Sequence, residues 1–205
     1  MATGFSAQSI ANTAWAYATL EARDEALMAT LADRTLQEGV VATFNAQNVA
    51  NTAWAYAKLG ILDEALMAAL AERIMPGAFL STFNTQNVAN TAWAYATLGI
   101  KDEALMGALA EHVMQDGFLA KFKAQEVVNT VWAYASLGFK HEPLMAAIAE
   151  RIIEGNFIAA FTAQNVANTA WAYATLGIKN EALMAALAGQ TMQDKLLSTF
   201  KAQEV

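Results

Sequence analysis

Phe44-Asn-Ala-Gln47-Asn-Val-Ala-Asn51-Thr-Ala-Trp54-Ala-Tyr56-Ala-Lys-Leu59-Gly60 is one of five copies of a phrase that decides the fold. Trp15, Trp54, Trp93, Trp132 and Trp171 stand 39 residues apart, each followed two residues later by a Tyr. Phe recurs ten residues before each Trp, at Phe5, Phe44, Phe83, Phe122 and Phe161, and once more at Phe200. Gln recurs at Gln8, Gln47, Gln86, Gln125, Gln164 and Gln203. A fixed period of this length is the signature of a stacked repeat architecture. Residues 1–205 read as a single array of five complete copies and a partial sixth, and the apolar end without a capping repeat suggests a piece of a longer array.

Each copy reads as two helices. Asn45 is placed to cap a first helix over residues 46–59, with Phe44 and Val49 as its hydrophobic staple. Gly60 supplies the left-handed residue after it, as do Gly99, Gly138 and Gly177, whereas the first copy carries Glu21 there. Asp63 caps a second helix that Pro76-Gly77 stops, and His141-Glu142-Pro143 opens its counterpart in the fourth copy. Apolar residues recur every three to four positions rather than every two, so helices are expected and strands are not. At 100° per residue, Val49, Ala50, Ala53, Trp54 and Ala57 form one arc, and Leu66, Met67, Leu70, Ala71 and Ile74 another. Two helices alone cannot bury both arcs; stacked copies can. The expected fold is all-α, an α-solenoid of 39-residue two-helix repeats. The Trp and Tyr residues are expected in its core, with a base-stacking platform as the alternative.

Composition narrows the function classes. The 205 residues include no Cys, which excludes a disulfide scaffold, a thiolate zinc site and a cysteine nucleophile. Hydrophobic residues make up 56 %, too many for a disordered chain. No apolar run approaches the ~18–20 residues of a membrane span, so no membrane partner is expected. Met1-Ala2-Thr3-Gly4-Phe5 has neither a basic nor an apolar leader region, and no signal peptide is expected. His112 and His141 have no metal-ligand spacing around them; a helix-end dipole contact and a cap are their expected roles. There is no phosphate loop and no nucleophile motif, so neither an enzyme nor a cofactor is expected. Asp33-Arg34, Glu72-Arg73 and Glu150-Arg151 read as solvated surface charges.

Two polar stripes remain on the first helix. Gln47, Asn51 and Lys58 share one, and Asn45, Asn48, Thr52 and Ala55 the next. The first is a ladder repeated from copy to copy: Gln47 and Asn51, Gln86 and Asn90, Gln125 and Asn129, Gln164 and Asn168. Its amides suit either bonds across the repeat interface or contact with a ligand. The second stripe varies, reading Ser6 and Ser9, Asn45 and Asn48, Asn84 and Asn87, Lys123 and Glu126, Thr162 and Asn165. Variation that stays polar is where selectivity can reside, so these residues and Lys58 are the binding candidates, against a plain solvated face.

The phrase Val-Ala-Asn-Thr-Ala-Trp-Ala-Tyr-Ala-x-Leu-Gly resembles the core of octotricopeptide and heptatricopeptide repeats. Such helical pairs occur in organellar RNA-binding proteins, including RAP-domain proteins and the Fas-activated serine/threonine kinase family. They are similar, too, to repeats in subunits of the kinetoplastid RNA-editing substrate-binding complex. The resemblance spans the whole chain, although its period is one residue longer than the octotricopeptide unit. It implies a solenoid binding single-stranded RNA in mitochondria or plastids, with first helices lining a concave face and positions such as Asn45 and Asn48 meeting nucleotides. The net charge of −7 opposes nucleic-acid binding, which draws on Lys and Arg. Eight of the 19 acids, however, open second helices: Asp24, Glu25, Asp63, Glu64, Asp102, Glu103, Glu142 and Glu181. Lys58, Lys121 and Lys123 are the few bases near the expected groove. The competing readings are an armadillo-type solenoid holding a protein or peptide partner, which the acidic balance favours, and a purely architectural spacer.

Overall fold

A computed structural model describes residues 5–192; Phe200, Gln203 and the partial sixth copy lie outside the described residues. The described chain is an α-solenoid, with no strand among the described residues. First helices are α1 (Ala7–Thr19), α3 (Ala46–Leu59), α6 (Thr85–Thr97), α8 (Ala124–Ser136) and α10 (Ala163–Thr175). Second helices are α2 (Glu25–Leu36), α4 (Glu64–Ile74), α7 (Glu103–Val113), α9 (Glu142–Ile153) and α11 (Glu181–Thr191). A third element was not legible in the two-helix reading. One helical turn joins each of the first four repeats to the next: Val41–Thr43, α5 (Gly77–Leu80), Leu119–Lys121 and Phe157–Ala160. The last three of these turns set a Phe (Phe79, Phe118 and Phe157) against the end of the preceding second helix, where the first has Val40.

The expected caps form. Asp24, Asp63, Asp102 and Asn180 each accept a backbone N–H three residues on, and His141 Nδ1 does the same from Leu144 at 3.2 Å. Gly60, Gly99, Gly138 and Gly177 take φ of 64–70°, and Glu21 is held at φ 54° where its Cβ is disfavoured. First helices pack against one another more extensively than any other elements do. Alanines make this possible: Ala50, Ala53, Ala55, Ala92, Ala94 and Ala133 are fully buried and keep neighbouring axes close. Leu66, Met67, Leu70, Ala71 and Ile74 are buried from the second helix, as their arc predicts.

Of the paired Trp and Tyr, Tyr is the one sealed in the core in four of the five repeats. Tyr56, Tyr95, Tyr134 and Tyr173 are at most 1 % exposed. Each hydroxyl donates to a second-helix carbonyl of the preceding repeat: Met28 at 2.5 Å, and Met67, Met106 and Met145 at 2.6 Å. Trp lies at the edge of the core rather than inside it, with Trp54, Trp93 and Trp132 packed against it, so the core assignment holds for Trp only in part. Trp15 and Trp171 are 47 % and 46 % exposed, and Trp54, Trp93 and Trp132 are partly buried.

Burial pushes the four Tyr phenols far above their ordinary range, with the nearby carboxylates of Asp63 and Asp102 adding to the effect at Tyr56 and Tyr95. An unfolded phenol titrates near pH 10. The contribution is therefore whole below about pH 10 and is lost as pH rises further, because the unfolded chain releases protons that the folded chain keeps. Replacing Tyr95 by Phe is expected to cost about 1 kcal/mol at neutral pH, the net worth of one hydrogen bond. The same change is expected to shrink the loss of stability between pH 9 and pH 11; urea midpoints at the three pH values check both. Glu21→Gly is expected to stabilise by about 1 kcal/mol through relief of the left-handed strain, less a few tenths for the exposed ion pair with Lys58.

Candidate nucleic-acid interface

The varying stripe turns out to be a set of helix caps. Asn45, Asn84 and Thr162 are N-cap residues whose side chains accept from the backbone N–H of Asn48, Asn87 and Asn165 at 2.8, 2.9 and 3.2 Å. The three Asn side chains return the bond, accepting from the cap residue's own N–H at 3.1–3.2 Å. These are reciprocal capping boxes. Ser6 accepts from Ser9 N–H at 3.2 Å, and the two hydroxyls lie 2.9 Å apart. In the fourth repeat Lys123 N–H donates to the Glu126 carboxylate at 2.8 Å.

Variation along this stripe is thus covariation of a cap with its third helical residue. Asn48, Asn87 and Asn165 are 7 %, 7 % and 4 % exposed, and Thr52, Ala55, Thr91 and Ala94 are fully buried. The expectation of room beside the stripe is corrected at its inner half: Asn48, Asn87 and Asn165, with the Thr and Ala beside them, are closed in toward the preceding first helix, while the cap residues Ser6, Asn45, Asn84, Lys123 and Thr162 stay exposed. The i, i+3 spacing of cap and N3 residue at each helix start was the signal that identifies it.

The outward face of each first helix carries the other stripe together with Trp. Gln47, Asn51, Trp54 and Lys58 are spaced 4, 3 and 4 residues and lie along one side of the helix. Gln86, Asn90, Trp93 and Thr97 repeat the set on α6, as do Gln125, Asn129, Trp132 and Ser136 on α8, and Gln164, Asn168, Trp171 and Thr175 on α10. The Gln are exposed, and Asn51, Asn90, Asn129 and Asn168 are partly so. The expected ladder of amide bonds to neighbouring backbone is not formed. One polar chain exists, in which Gln125 donates to Asn129 at 2.7 Å and Asn165 donates to Gln125 at 3.2 Å across the repeat boundary. Among the described residues the side-chain amides of Gln47, Asn51, Gln86, Asn90, Gln164 and Asn168 make no hydrogen bond. The face is nearly free of charge: its Lys58 is paired with Glu21 at 2.9 Å. In chemical terms it offers aromatic edges and faces beside amides able both to donate and to accept.

The rim of this face is stiffened by residues read as solvated charges. Arg73 donates to the Phe44 carbonyl from Nε at 3.3 Å and Nη2 at 3.2 Å, with its guanidinium 3.6 Å from the Phe79 ring centre. Arg151 donates to Ala120 O at 3.3 Å and lies 3.9 Å over Phe157. Arg34 donates to Gln37. His112 takes the same place in the third repeat, only 4 % exposed, with Nε2 3.2 Å from Phe83 O and its ring 4.3 Å from Phe118. It stands in the last turn of α7, as expected of a helix-end residue, and is also a buried tie between second helix and connecting turn. A groove of about 480 Å³ opens beside Arg73, between Asn45 and Gln47 on one side and Asn84 and Asn87 on the other.

Among the described residues no cluster of three or more His, Asp or Glu is placed to hold a metal, and no helix is long and apolar enough to cross a membrane. The two stripes separate by mutation. Asn87→Ala is expected to cost about 1 kcal/mol or more, since it strips a buried capping box. Asn90→Ala, on the open face, is expected to stay within about 0.5 kcal/mol. Thermal and urea unfolding of the two variants compares them directly.

No curated protein matches this sequence. The family model of RESC6, RNA-editing substrate-binding complex 6 protein, matches residues 1–160, which contain the first four repeats, and the chain belongs to that family.

Proposed function

We propose that this chain binds single-stranded RNA along the face formed by its first helices, as a non-enzymatic module of an RNA-editing substrate-binding assembly. The observation that carries the proposal is the recurrence of Gln and Asn amides, unpaired in all but the fourth of the described repeats, beside a partly exposed Trp. Bases stack on aromatic rings irrespective of sequence, and amides bond their edges. The family is named for an RNA-editing substrate-binding complex, which supports an RNA-related role. The near-identity of the repeats favours a sequence-tolerant grip over a repeat-by-repeat code. In this reading Asn45, Asn48 and their counterparts shape the face from beneath rather than touching nucleotides.

A second reading is favoured by the charge of −7: the same amides suit the backbone of an extended peptide, as in armadillo-type solenoids. The two are separated by titrating the folded protein with mixed single-stranded RNA at two salt concentrations. With Lys58 the lone base on the face, the salt slope is expected to be shallow, about −0.7 per phosphate neutralised. Trp54→Ala with Trp93→Ala is expected to weaken RNA binding tenfold or more, since each stacked base contributes about 1–3 kcal/mol. Absence of binding at low salt by a fully helical protein overturns the RNA reading; capture of extended peptides that depends on Asn51 and Asn90 would put the second in its place.

A further inference from the structure

A different surface, formed by the ends of the second helices, bears a second repeating feature. Leu36, Met75, Met114 and Ile153 occupy equivalent positions and are each 37–42 % exposed. Single exposed apolar residues are ordinary, but the same one at the end of every second helix is a pattern. Around Met114 it becomes a groove of about 600 Å³ between α7, the turn after it, and α9. Leu119, Ala120 and Ala147 line it with Met114, and Asp116, Glu150 and Glu154 bring three carboxylates to its walls.

Apart from the loose pairing of Glu154 with Arg151, those carboxylates have no local structural reason to be there. Glu150 and Glu154 sit at the C-terminal end of α9, where the helix dipole disfavours negative charge, unlike the acids that open the second helices. The one base in the groove, Arg151, is turned inward onto Phe157 and the Ala120 carbonyl, and lies 3.9 Å from Glu154. Asp116 and Glu150 form no ion pair among the described residues. The groove therefore combines an apolar floor with uncompensated negative charge.

We propose that the groove between α7 and α9 docks a basic, apolar segment of a partner protein. An apolar side chain would cover Met114, Leu119 and Ala147, while Lys or Arg residues would meet Asp116, Glu150 and Glu154. Lysine and arginine suit both parts, laying an alkyl stem on the floor and a cation at the wall. A second copy of this chain is a poor fit, because its own balance is 12 bases against 19 acids. Nucleic acid is repelled from the same groove. The inference is independent of the RNA reading, since the groove lies on the second helices and not on the outward face of the first.

The test uses the full chain and a short fluorescein-labelled amphipathic helix of Lys and Leu, read by anisotropy. Glu150→Lys with Glu154→Lys is expected to weaken the peptide Kd at least tenfold. Glu64→Lys with Glu103→Lys, which changes net charge equally at second-helix starts, is expected to weaken it less than twofold. Met114→Ala and Glu150→Gln with Glu154→Gln, milder changes that keep the helix, are each expected to weaken it severalfold. Equal weakening by groove and control pairs, or no saturable binding, overturns the proposal. Single-stranded RNA binding is expected to respond equally to the two Lys pairs; a larger gain from the groove pair would make the groove a nucleic-acid site and overturn it as well.

Discussion

The Tyr hydroxyl that reaches back into the preceding repeat is the interaction on which the array depends. It ties a first helix to a second-helix carbonyl of the repeat before it, at an unvarying separation of 28 residues. A solenoid is stable only through contacts between neighbours. Alanine seams allow first helices to approach but do little to choose among sliding registers. A buried hydroxyl does choose, because a shifted register would leave it without an acceptor in an apolar core. Once the register is set, each Trp, Asn and Gln of one repeat stands beside its counterpart in the next.

The capping pairs perform a second structural task, and they explain why the varying positions mislead. Ser6 with Ser9, Asn45 with Asn48, Lys123 with Glu126 and Thr162 with Asn165 are different solutions to one problem, the unpaired N–H groups at a helix start. Any pair that satisfies them is acceptable, so composition drifts while polarity persists. Selectivity for a ligand would leave the same trace in sequence. Only burial tells them apart, and Asn48 is 7 % exposed.

The outward face and the second-helix edge then divide the surface by chemistry. The first presents unpaired amides and partly exposed indoles with almost no charge. The second presents apolar residues next to carboxylates, of which Asp116 and Glu150 have no ion-pair partner among the described residues. The RNA-binding and docking proposals rest on these two surfaces separately. The acidic balance that argues against RNA is carried mostly by helix starts and by the second-helix edge, away from the amide and Trp face.

The sequence by itself determined the helices, their caps, the 39-residue period and the solenoid, because these follow from local hydrogen bonding and from apolar arcs that repeat in phase. It placed Gln47, Asn51 and Lys58 on one stripe, since their spacing puts them on one side of a helix, but left open whether their amides bond across the repeat interface or meet a ligand. Which of two neighbouring aromatics is buried was decided only by tertiary structure: Trp54 and Tyr56 are two residues apart, yet Tyr56 has an acceptor waiting in the preceding repeat and Trp54 has none. The same holds for Arg73, which a sequence shows beside a Glu and the fold shows laid over Phe79. The connecting turns that bring those rings into place join one repeat to the next, and the pairings they create exist only once the repeats are stacked.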